Sequence, residues 1–355
     1  MTPKVLHVFP DSVVEPGQEH LGSTKDIRGR TQFFLDRGLS FDELPHSRSA
    51  RGMLRAVQGQ DLSPYDMVVV EFPLSARATE ALRSGAPRAL LVTRSANAEL
   101  LHRVHWMRAM GPSVRSLKLG VRTALTTSAE MWSGRRSDAV LAISPWEVAH
   151  YWSRTLPSNR IRWLPYYVPD TYLSELLVGD AVKEKTCVCL TSTRRNPLIE
   201  DSVRGFEKAV GSLTAAGGWR FLVTGDLEST RGDGRIESTG LLDTPAPLLR
   251  RSRAVALLSD YGFGFKTKLL DAVVAGNRVL VTPGLYRRIP EILHPWTVEV
   301  DLLDPASFAS ALVAAEQPLP PGDPNDTLRR LHHGVLDALL ENHLANRDSG
   351  SARRR

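Results

Sequence analysis

Short apolar runs rich in β-branched residues alternate with helix-length amphipathic segments along the whole chain. In the first half the runs are residues 5–9, 67–72, 89–93, 139–144 and 161–166. In the second half they are residues 186–191, 219–225, 236–241, 254–258 and 278–282. This alternation is typical of βαβ units, in which crossover helices join parallel strands. The pattern predicts an α/β protein with two open sheets, one in each half.

The length of 355 residues exceeds that of a single hydrophobic core, so two domains are expected. Residues 165–185 contain two prolines and a polar end, which indicates a domain boundary. We expect a Rossmann-like N-terminal domain over residues 1–165 and a Rossmann-like C-terminal domain over residues 166–326, facing each other across a cleft. Residues 327–345 form an amphipathic pattern typical of a last helix, and residues 346–355 are expected to be a disordered tail.

The net charge of +6 favours anionic partners such as nucleotides, nucleic acid or an acidic membrane surface. The first residues lack the long apolar stretch of a signal peptide. Cys187 and Cys189 lie two residues apart in an apolar run, where they share a strand face and are poorly placed to bridge each other. We therefore interpret them as core residues and expect a cytoplasmic protein without a metal site.

The stretch 254–282 has the pattern of a strand, a glycine turn, a helix, a glycine stop and a second strand. Gly262 and Gly264 permit a tight turn and close approach of a ligand to the backbone. The helix is expected to begin near Phe265 or Lys266, with Lys268 in its first turn. Because lysines oppose the helix dipole at this end, the pair predicts a bound anion such as a diphosphate. Asp271 can accept hydrogen bonds from the two hydroxyls of a ribose.

The spacing of this stretch resembles the donor-site signature of the retaining glycosyltransferases of family four. It is Gly262-X-Gly264-X-Lys266-X-Lys268-X-X-Asp271-Ala272-X-X-X-Gly276, with aspartate where the family commonly has glutamate. The resemblance implies a GT-B fold and a nucleoside-diphosphate sugar as donor. It also implies a catalytic, phosphate-binding role for the two lysines and a ribose contact for Asp271. Phe263, Phe265 and Thr267 belong to the same motif and are predicted to line the donor site.

Two further segments of the second half are predicted to contact the donor. Gly225 ends the run 219–225, in a region where family members place base-contacting loops. Arg194 and Arg195 follow the run 186–191, where the family usually has a basic residue against the diphosphate. We predict a catalytic role for Arg194 and a binding role for Arg195. The alternative is a pair of solvated arginines on an ordinary βα turn.

The first half resembles the family in two places. Gly22 and Ser23 end a loop before a helix that Ser23 or its neighbour is expected to cap, and this loop is predicted to approach the donor. Residues 91–99 look like the Arg-X-His-Asn-X-Glu segment of one branch of these enzymes. The resemblance implies a catalytic role for Asn97 and acceptor-side roles for Arg94 and Glu99.

Ala96 stands where that branch has a histidine that contacts the transferred sugar. His102 and His105 follow closely, and either is a candidate to replace it on the acceptor side. The alternative is a structural role for both. Residues 101–136 carry seven Lys or Arg and one Glu among apolar residues. They are predicted to rest on an anionic membrane or to bind an anionic acceptor, unless they form a solvated helix pair packed on the sheet.

Together these features predict a glycosyltransferase that moves a sugar from a nucleotide-sugar to an acceptor that the sequence does not identify. Retention of anomeric configuration follows from the resemblance alone. The absence of an Asp-X-Asp pair favours a metal-independent reaction, with the donor itself as the only nucleotide and no other cofactor. Three alternatives stay open: a nucleic-acid glycosyltransferase, a GT-B-like nucleotide-sugar epimerase, and an inactive protein that binds sugar nucleotides.

Overall fold

The computed structural model describes residues 2–352, except residues 74, 96, 111–113, 178–180, 192–196, 227–233 and 262. The chain divides into two compact units. The first contains Met1–Leu100, Lys118–Pro169 and Asp326–Arg355, and the second contains Leu101–Leu117 and Asp170–Asn325. The C-terminal residues therefore belong with the first half of the chain, and a short segment from the first half belongs with the second.

Each unit is built on a parallel sheet of six strands. The first sheet contains β1 (Lys4–Pro10), β2 (Ser40–His46), β3 (Met67–Glu71), β4 (Leu90–Ser95), β5 (Ala139–Ala142) and β6 (Ile161–Trp163). The second contains β7 (Glu184–Cys189), β8 (Arg220–Thr224), β9 (Ile236–Gly240), β10 (Ser252–Leu257), β11 (Arg278–Val281) and β12 (Thr297–Glu299). The predicted α/β class is confirmed, and every predicted strand is present.

Helices connect the strands and cover the sheets. They are α1 (Gly22–Asp36), α2 (Ala50–Gln58), α3 (Ala76–Gly85), α4 (Glu99–Met110), α5 (Val114–Arg136), α6 (Pro145–His150), α7 (Asp170–Leu177), α8 (Pro197–Gly211), α9 (Ala246–Arg251), α10 (Thr267–Val274), α11 (Pro283–Tyr286), α12 (Ser307–Glu316) and α13 (Pro324–Ala352). Short 3-10 helices occupy Asp11–Val13, Trp152–Arg154, Ser158–Arg160 and Glu291–Trp296. The last helix continues to Ala352, into the segment that was expected to be a disordered tail. Among the described helices, none is both long and apolar enough to cross a membrane.

The strand orders place one switch point in each sheet. The first order is β2-β1-β3-β4-β5-β6, so β2 is added on one side of β1 and the later strands are added on the other, which places the switch point between β1 and β3. The second order is β12-β11-β10-β7-β8-β9, so β8 and β9 are added on one side of β7 and the later strands on the other, which places the switch point between β7 and β10. Ligands of open α/β sheets bind outside the carboxyl ends of the strands at such a point, because the flanking loops diverge there.

Apolar side chains of the strands fill the cores of both units. Cys187 and Cys189 are fully buried free thiols in the core of the second unit, beside Phe206 and Phe221. Burial raises the pKa of Cys189 to about 12. The interpretation of both cysteines as core residues is confirmed.

The sequence analysis missed the strands β2 and β12, which lie at sheet edges. Most residues of β2 are exposed or half-buried, and the strand contains Asp42, Glu43 and Pro45. It therefore shows no apolar run, because an edge strand with one solvated side does not need one. The strand β12 has only three residues, which is too short for a periodic pattern.

Candidate functional site

The loop between β10 and α10 lies at the switch point of the second sheet, where the glycine turn was predicted. Lys266 precedes the helix with non-helical dihedral angles, φ −82° and ψ 92°, and α10 begins at Thr267. The first amides of a helix lack intrahelical partners, so this helix end favours an anion. The helix therefore begins within two residues of the predicted start, with Lys266 directly before it.

The two predicted lysines meet at this switch point. Nζ of Lys266 donates a hydrogen bond to the carbonyl of Tyr261 at 2.9 Å. Nζ of Lys268 donates to the carbonyl of Leu190, just after β7, at 3.1 Å. Burial, followed by repulsion from Arg288 and Lys268, lowers the pKa of Lys266 to about 8. The site therefore concentrates positive charge at the carboxyl edge of β7 and β10.

Arg288 is a third cation of this site, and the sequence analysis did not find it. It follows α11 and its Nη2 donates to the carbonyl of Asp260 at 2.8 Å. Its guanidinium carbon lies 5.3 Å from the ring centroid of Phe263. Burial lowers the pKa of Arg288, and attraction to Asp260 offsets part of this effect. Arg288 lies outside the motif, so local spacing gave no signal for it.

His105, predicted on the acceptor side, packs on the glycine turn of the second unit. Its ring lies 4.5 Å from that of Phe263 and 5.3 Å from that of Tyr261, measured between centroids. Burial lowers the pKa of His105, with further contributions from Arg108 and Arg288 and an opposing one from Asp260. The imidazole is therefore neutral at physiological pH. His102 instead packs against Trp106 of its own helix at 6.1 Å.

The remaining residues of the predicted donor motif lie in the turn before α10 or in α10 itself, and they differ in burial. Gly264, Phe265 and Thr267 are half-buried. Asp271 lies in the second turn of α10 and is only 4% exposed. A ribose contact through this carboxylate would require its local surroundings to open, and the ribose role stays a prediction. Gly262 lies outside the described residues.

Gly225 follows β8 and adopts a backbone conformation that only glycine adopts readily. Its φ of +96° lies in the region that favours glycine, and its amide donates to the carbonyl of Gly240 at 2.8 Å. A Cβ atom here would lie 2.7 Å from Oγ1 of Thr191. The glycine thus lets the ends of β7, β8 and β9 pack closely. Arg194 and Arg195, predicted beside this edge, lie outside the described residues.

Arg94, predicted on the acceptor side, lies instead inside the first unit. It is fully buried, and its Nε and Nη2 donate to the carboxylate of Asp26 at 3.0 and 2.8 Å. Its Nη1 donates to the carbonyl of Leu164 at 2.7 Å. These bonds occupy the guanidinium, so the structure corrects the prediction. Arg94 was predicted as a site residue because residues 91–99 resemble a family segment, but only the fold shows that its side chain is buried against Asp26.

The ion pairs of Arg94 extend through the first unit. Arg30 Nη2 donates to Asp26 at 2.9 Å and to Glu71 at 2.7 Å, and His7 Nε2 lies 2.9 Å from Glu71. Burial by itself would raise the pKa of Asp26, but Arg30 and Arg94 outweigh it and hold this pKa well below its usual range. Burial would also raise the pKa of Glu71, but Arg30 outweighs it, and this pKa is lowered as well. These five residues, which we call the buried ion-pair network, are structural.

Asn97 lies in the loop after β4 and Glu99 is the first residue of α4, and both residues are half-buried. Oγ of Ser95 donates to the carbonyl of Asn97 at 3.1 Å and lies 3.3 Å from Oε2 of Glu147. Glu147 is fully buried in the first turn of α6, and burial raises its pKa to about 8. The sequence analysis did not find Glu147, which helps to hold the predicted loop in place.

The predicted cap of α1 is absent. The helix begins at Gly22, its N-cap residue is Leu21, and no side chain caps it. Ser23 therefore lies inside the first turn. Gly22 and Ser23 are both half-buried at the carboxyl side of β1. The helix is stabilised instead by burial of Ile27, Phe33 and Phe34.

No family model and no curated protein matches the sequence, whereas solved structures match the fold over nearly the whole chain. A sucrose-phosphate synthase from Thermosynechococcus elongatus has 12% identity and a TM-score of 0.59 over 99% of this chain and 98% of its own. HepE from Anabaena, in complex with UDP, has 12% identity and a TM-score of 0.51 over 98% and 100%. A Listeria monocytogenes protein assigned as a UDP-N-acetylglucosamine 2-epimerase has 12% identity and a TM-score of 0.54 over 98% of each chain. The protein therefore has the predicted GT-B fold, with two Rossmann-like domains.

Proposed function

We propose that the protein is a glycosyltransferase that uses a nucleoside-diphosphate sugar as its donor. The observation that carries this proposal is the convergence of Lys266 and Lys268 with the start of α10 at the switch point of the second sheet. Cations and helix amides in this arrangement are suited to a diphosphate. Solved structures with the same fold include a sucrose-phosphate synthase and a complex of HepE with UDP, which supports the choice of donor class.

In the proposed reaction the bond between the anomeric carbon and the diphosphate breaks, the oxygen of an acceptor hydroxyl bonds to that carbon, and the hydroxyl proton leaves with the diphosphate. Negative charge then grows on the departing diphosphate. The two lysines and the amides of α10 stabilise this charge more strongly in the transition state than in the bound donor. We propose that the reaction retains the anomeric configuration and needs no metal ion. Unchanged turnover after treatment with EDTA tests the second point.

Nucleotide binding tests the donor site directly. Isothermal titration calorimetry with UDP, GDP and ADP is expected to show binding of at least one of them to the unaltered protein. The double variant Lys266→Ala, Lys268→Ala is expected to lose this binding. Lys185→Ala, Lys208→Ala removes two exposed lysines of the same unit and is the matched control, which should bind normally. Full binding by the first double variant would refute the proposed site.

A nucleotide-sugar epimerase is the second candidate, since a protein assigned as an epimerase shares the fold at a TM-score of 0.54. The two activities differ in their need for an acceptor. Incubation with UDP-N-acetylglucosamine alone, followed by NMR of the sugar, distinguishes them. A change of configuration at C2 without transfer would favour the epimerase.

We also propose that α5 contacts an anionic surface. Leu125 and Trp132 lie seven residues apart on this helix, and their exposed fractions are 70% and 43%. The guanidinium of Arg136 lies 5.1 Å from the ring of Trp132. Apolar and cationic groups in this combination favour a membrane interface. Flotation with vesicles that contain phosphatidylglycerol tests this, and absence of binding at low salt would discard it.

A further inference from the structure

We propose that Arg288 binds the donor diphosphate together with Lys266 and Lys268, a role that rests on the proposed function. We call these three residues the cationic cluster. Arg288 and Lys266 donate to the consecutive carbonyls of Asp260 and Tyr261, so both cations approach the same turn. These two bonds place the side chain of Arg288, which follows β11 and α11, beside Lys266 at the start of α10.

Two members of the cluster, Lys266 and Arg288, are held by backbone carbonyls and not by carboxylates. In the described part of the chain, the polar partners of Lys266 and Arg288 are backbone carbonyls, and neither cation forms an ion pair with a carboxylate. Asp260 attracts Arg288 only at longer range, and its carboxylate accepts a hydrogen bond from Oγ1 of Thr282. Like charges held together without a counter-charge are costly, and a bound polyanion relieves this cost.

The surrounding residues hold Arg288 in a defined place. Its guanidinium lies over Phe263, whose ring also packs against His105. The turn that carries Arg288 packs tightly on Asp260, since a Cβ atom at Gly284 would lie 2.2 Å from Oδ1 of that residue. This arrangement limits the side-chain entropy that is lost when an anion binds.

The charge of the cluster matches that of a diphosphate. Three cations face a nucleoside diphosphate that carries roughly three negative charges near neutral pH, whereas a monophosphate carries roughly two. A guanidinium can also hold two phosphate oxygens through a rigid planar fork of N–H donors, whereas an ammonium group acts as a point charge without this fixed geometry. We therefore expect Arg288 to favour UDP over UMP, because it contacts the phosphate that UMP lacks.

Calorimetry with UDP, UMP and pyrophosphate tests this role. Arg288→Gln is expected to weaken UDP binding by roughly tenfold to a hundredfold. The effect on UMP should be about threefold or less, so the ratio of the two affinities falls. Arg287→Gln alters the exposed neighbouring arginine and is the control, with UDP affinity within about twofold of the unaltered protein. A role limited to holding the loop would weaken both nucleotides equally.

The outcomes separate this inference from the proposed function. An unchanged ratio in Arg288→Gln, or an equal loss in Arg287→Gln, overturns the role of Arg288 while the donor site stands. Binding of pyrophosphate but of no nucleotide to the unaltered protein overturns the proposed function, and the effect of Arg288→Gln on pyrophosphate then decides the inference. If Arg288→Gln does not fold, Arg288→Lys is used, and an unchanged ratio in that variant also overturns it.

Discussion

The two units treat buried positive charge in opposite ways, although each is a six-stranded parallel sheet with one switch point. In the first unit, Arg30 and Arg94 are fully buried and paired with Asp26 and Glu71. In the second unit, Lys266 and Arg288 lie half-buried on backbone carbonyls. From this comparison we infer that a cation near a sheet edge is a candidate anion ligand when no carboxylate of the fold pairs with it.

The physical reason is the cost of an unpaired charge in a poorly solvated place. A network of carboxylates and guanidiniums balances that cost within the fold and fixes the elements that carry it. A cluster of like charges leaves part of the cost in place until an anion binds. The first arrangement contributes to the stability of its unit, whereas we propose that the second contributes to the affinity for an anion. The four predictions below test this contrast.

The largest effect is expected from Arg94→Met in the first unit. The change leaves Asp26 with one of its two arginines and removes the bond to the carbonyl of Leu164. We expect a loss of about 3–5 kcal/mol in the free energy of unfolding. Urea denaturation followed by circular dichroism measures it. Arg330→Met removes an exposed pair with Asp326 of the same unit and should cost less than about 1 kcal/mol. Equal losses would contradict the structural role of the network.

Glu147→Gln should change how stability depends on pH. The folded pKa of Glu147 is about 8, above the ordinary value of 4.5, so the folded state holds an extra proton between these values. The stability that this proton provides is present below pH 4.5 and is lost as the pH rises through 8. Glutamine does not titrate, so the variant keeps the stability that the unaltered protein loses as the pH rises. The difference in the free energy of unfolding between variant and unaltered protein should therefore grow by about 3 kcal/mol from pH 5 to pH 8. Urea denaturation at both pH values measures this, with Glu19→Gln as an exposed control. Parallel profiles would show that Glu147 is ionised in the folded protein.

The affinity for UDP should fall at alkaline pH. The pKa of Lys266 in the free protein is about 8, and only the protonated amine attracts a diphosphate. Above pH 8 we expect a loss of about tenfold for each pH unit. Calorimetry between pH 7 and pH 10 measures the slope. Lys266→Arg keeps the charge and should remove this dependence, and a flat profile for the unaltered protein would contradict a titration of Lys266 near pH 8.

The smallest effect is expected from Lys266→Met in the absence of nucleotide. The substitution removes a cation that repels Arg288 and Lys268 and has only a carbonyl partner. We expect a gain of about 1 kcal/mol in stability, reduced from the value for a fully buried charge because the residue is half-buried. Urea denaturation of the ligand-free protein decides the sign. A loss comparable to that in Arg94→Met would mean that the two units do not differ in the way described.

The sequence predicted the α/β class, the two sheets, the GT-B fold and the positions of the central strands. The class, the sheets and the strands follow from apolar runs and glycine turns, whose physical causes act over a few residues, whereas the GT-B fold was implied by the resemblance of residues 262–276 to a known donor-site signature. The donor motif was recognisable for the same reason, since Gly264, Lys266 and Lys268 lie on one turn and the following helix. Edge strands such as β2 were missed because they bury little and leave no apolar pattern.

Tertiary structure decided which charged residues pair with carboxylates and which are held by backbone carbonyls. Arg94 lies near the end of β4 and Lys266 lies between β10 and α10, but only Arg94 meets a carboxylate, that of Asp26, 68 positions earlier in the chain. Arg288 and His105 reach the glycine turn from distant segments, which no local spacing predicts. Local sequence fixes where a side chain leaves the backbone, whereas its charge balance depends on every element that packs around it.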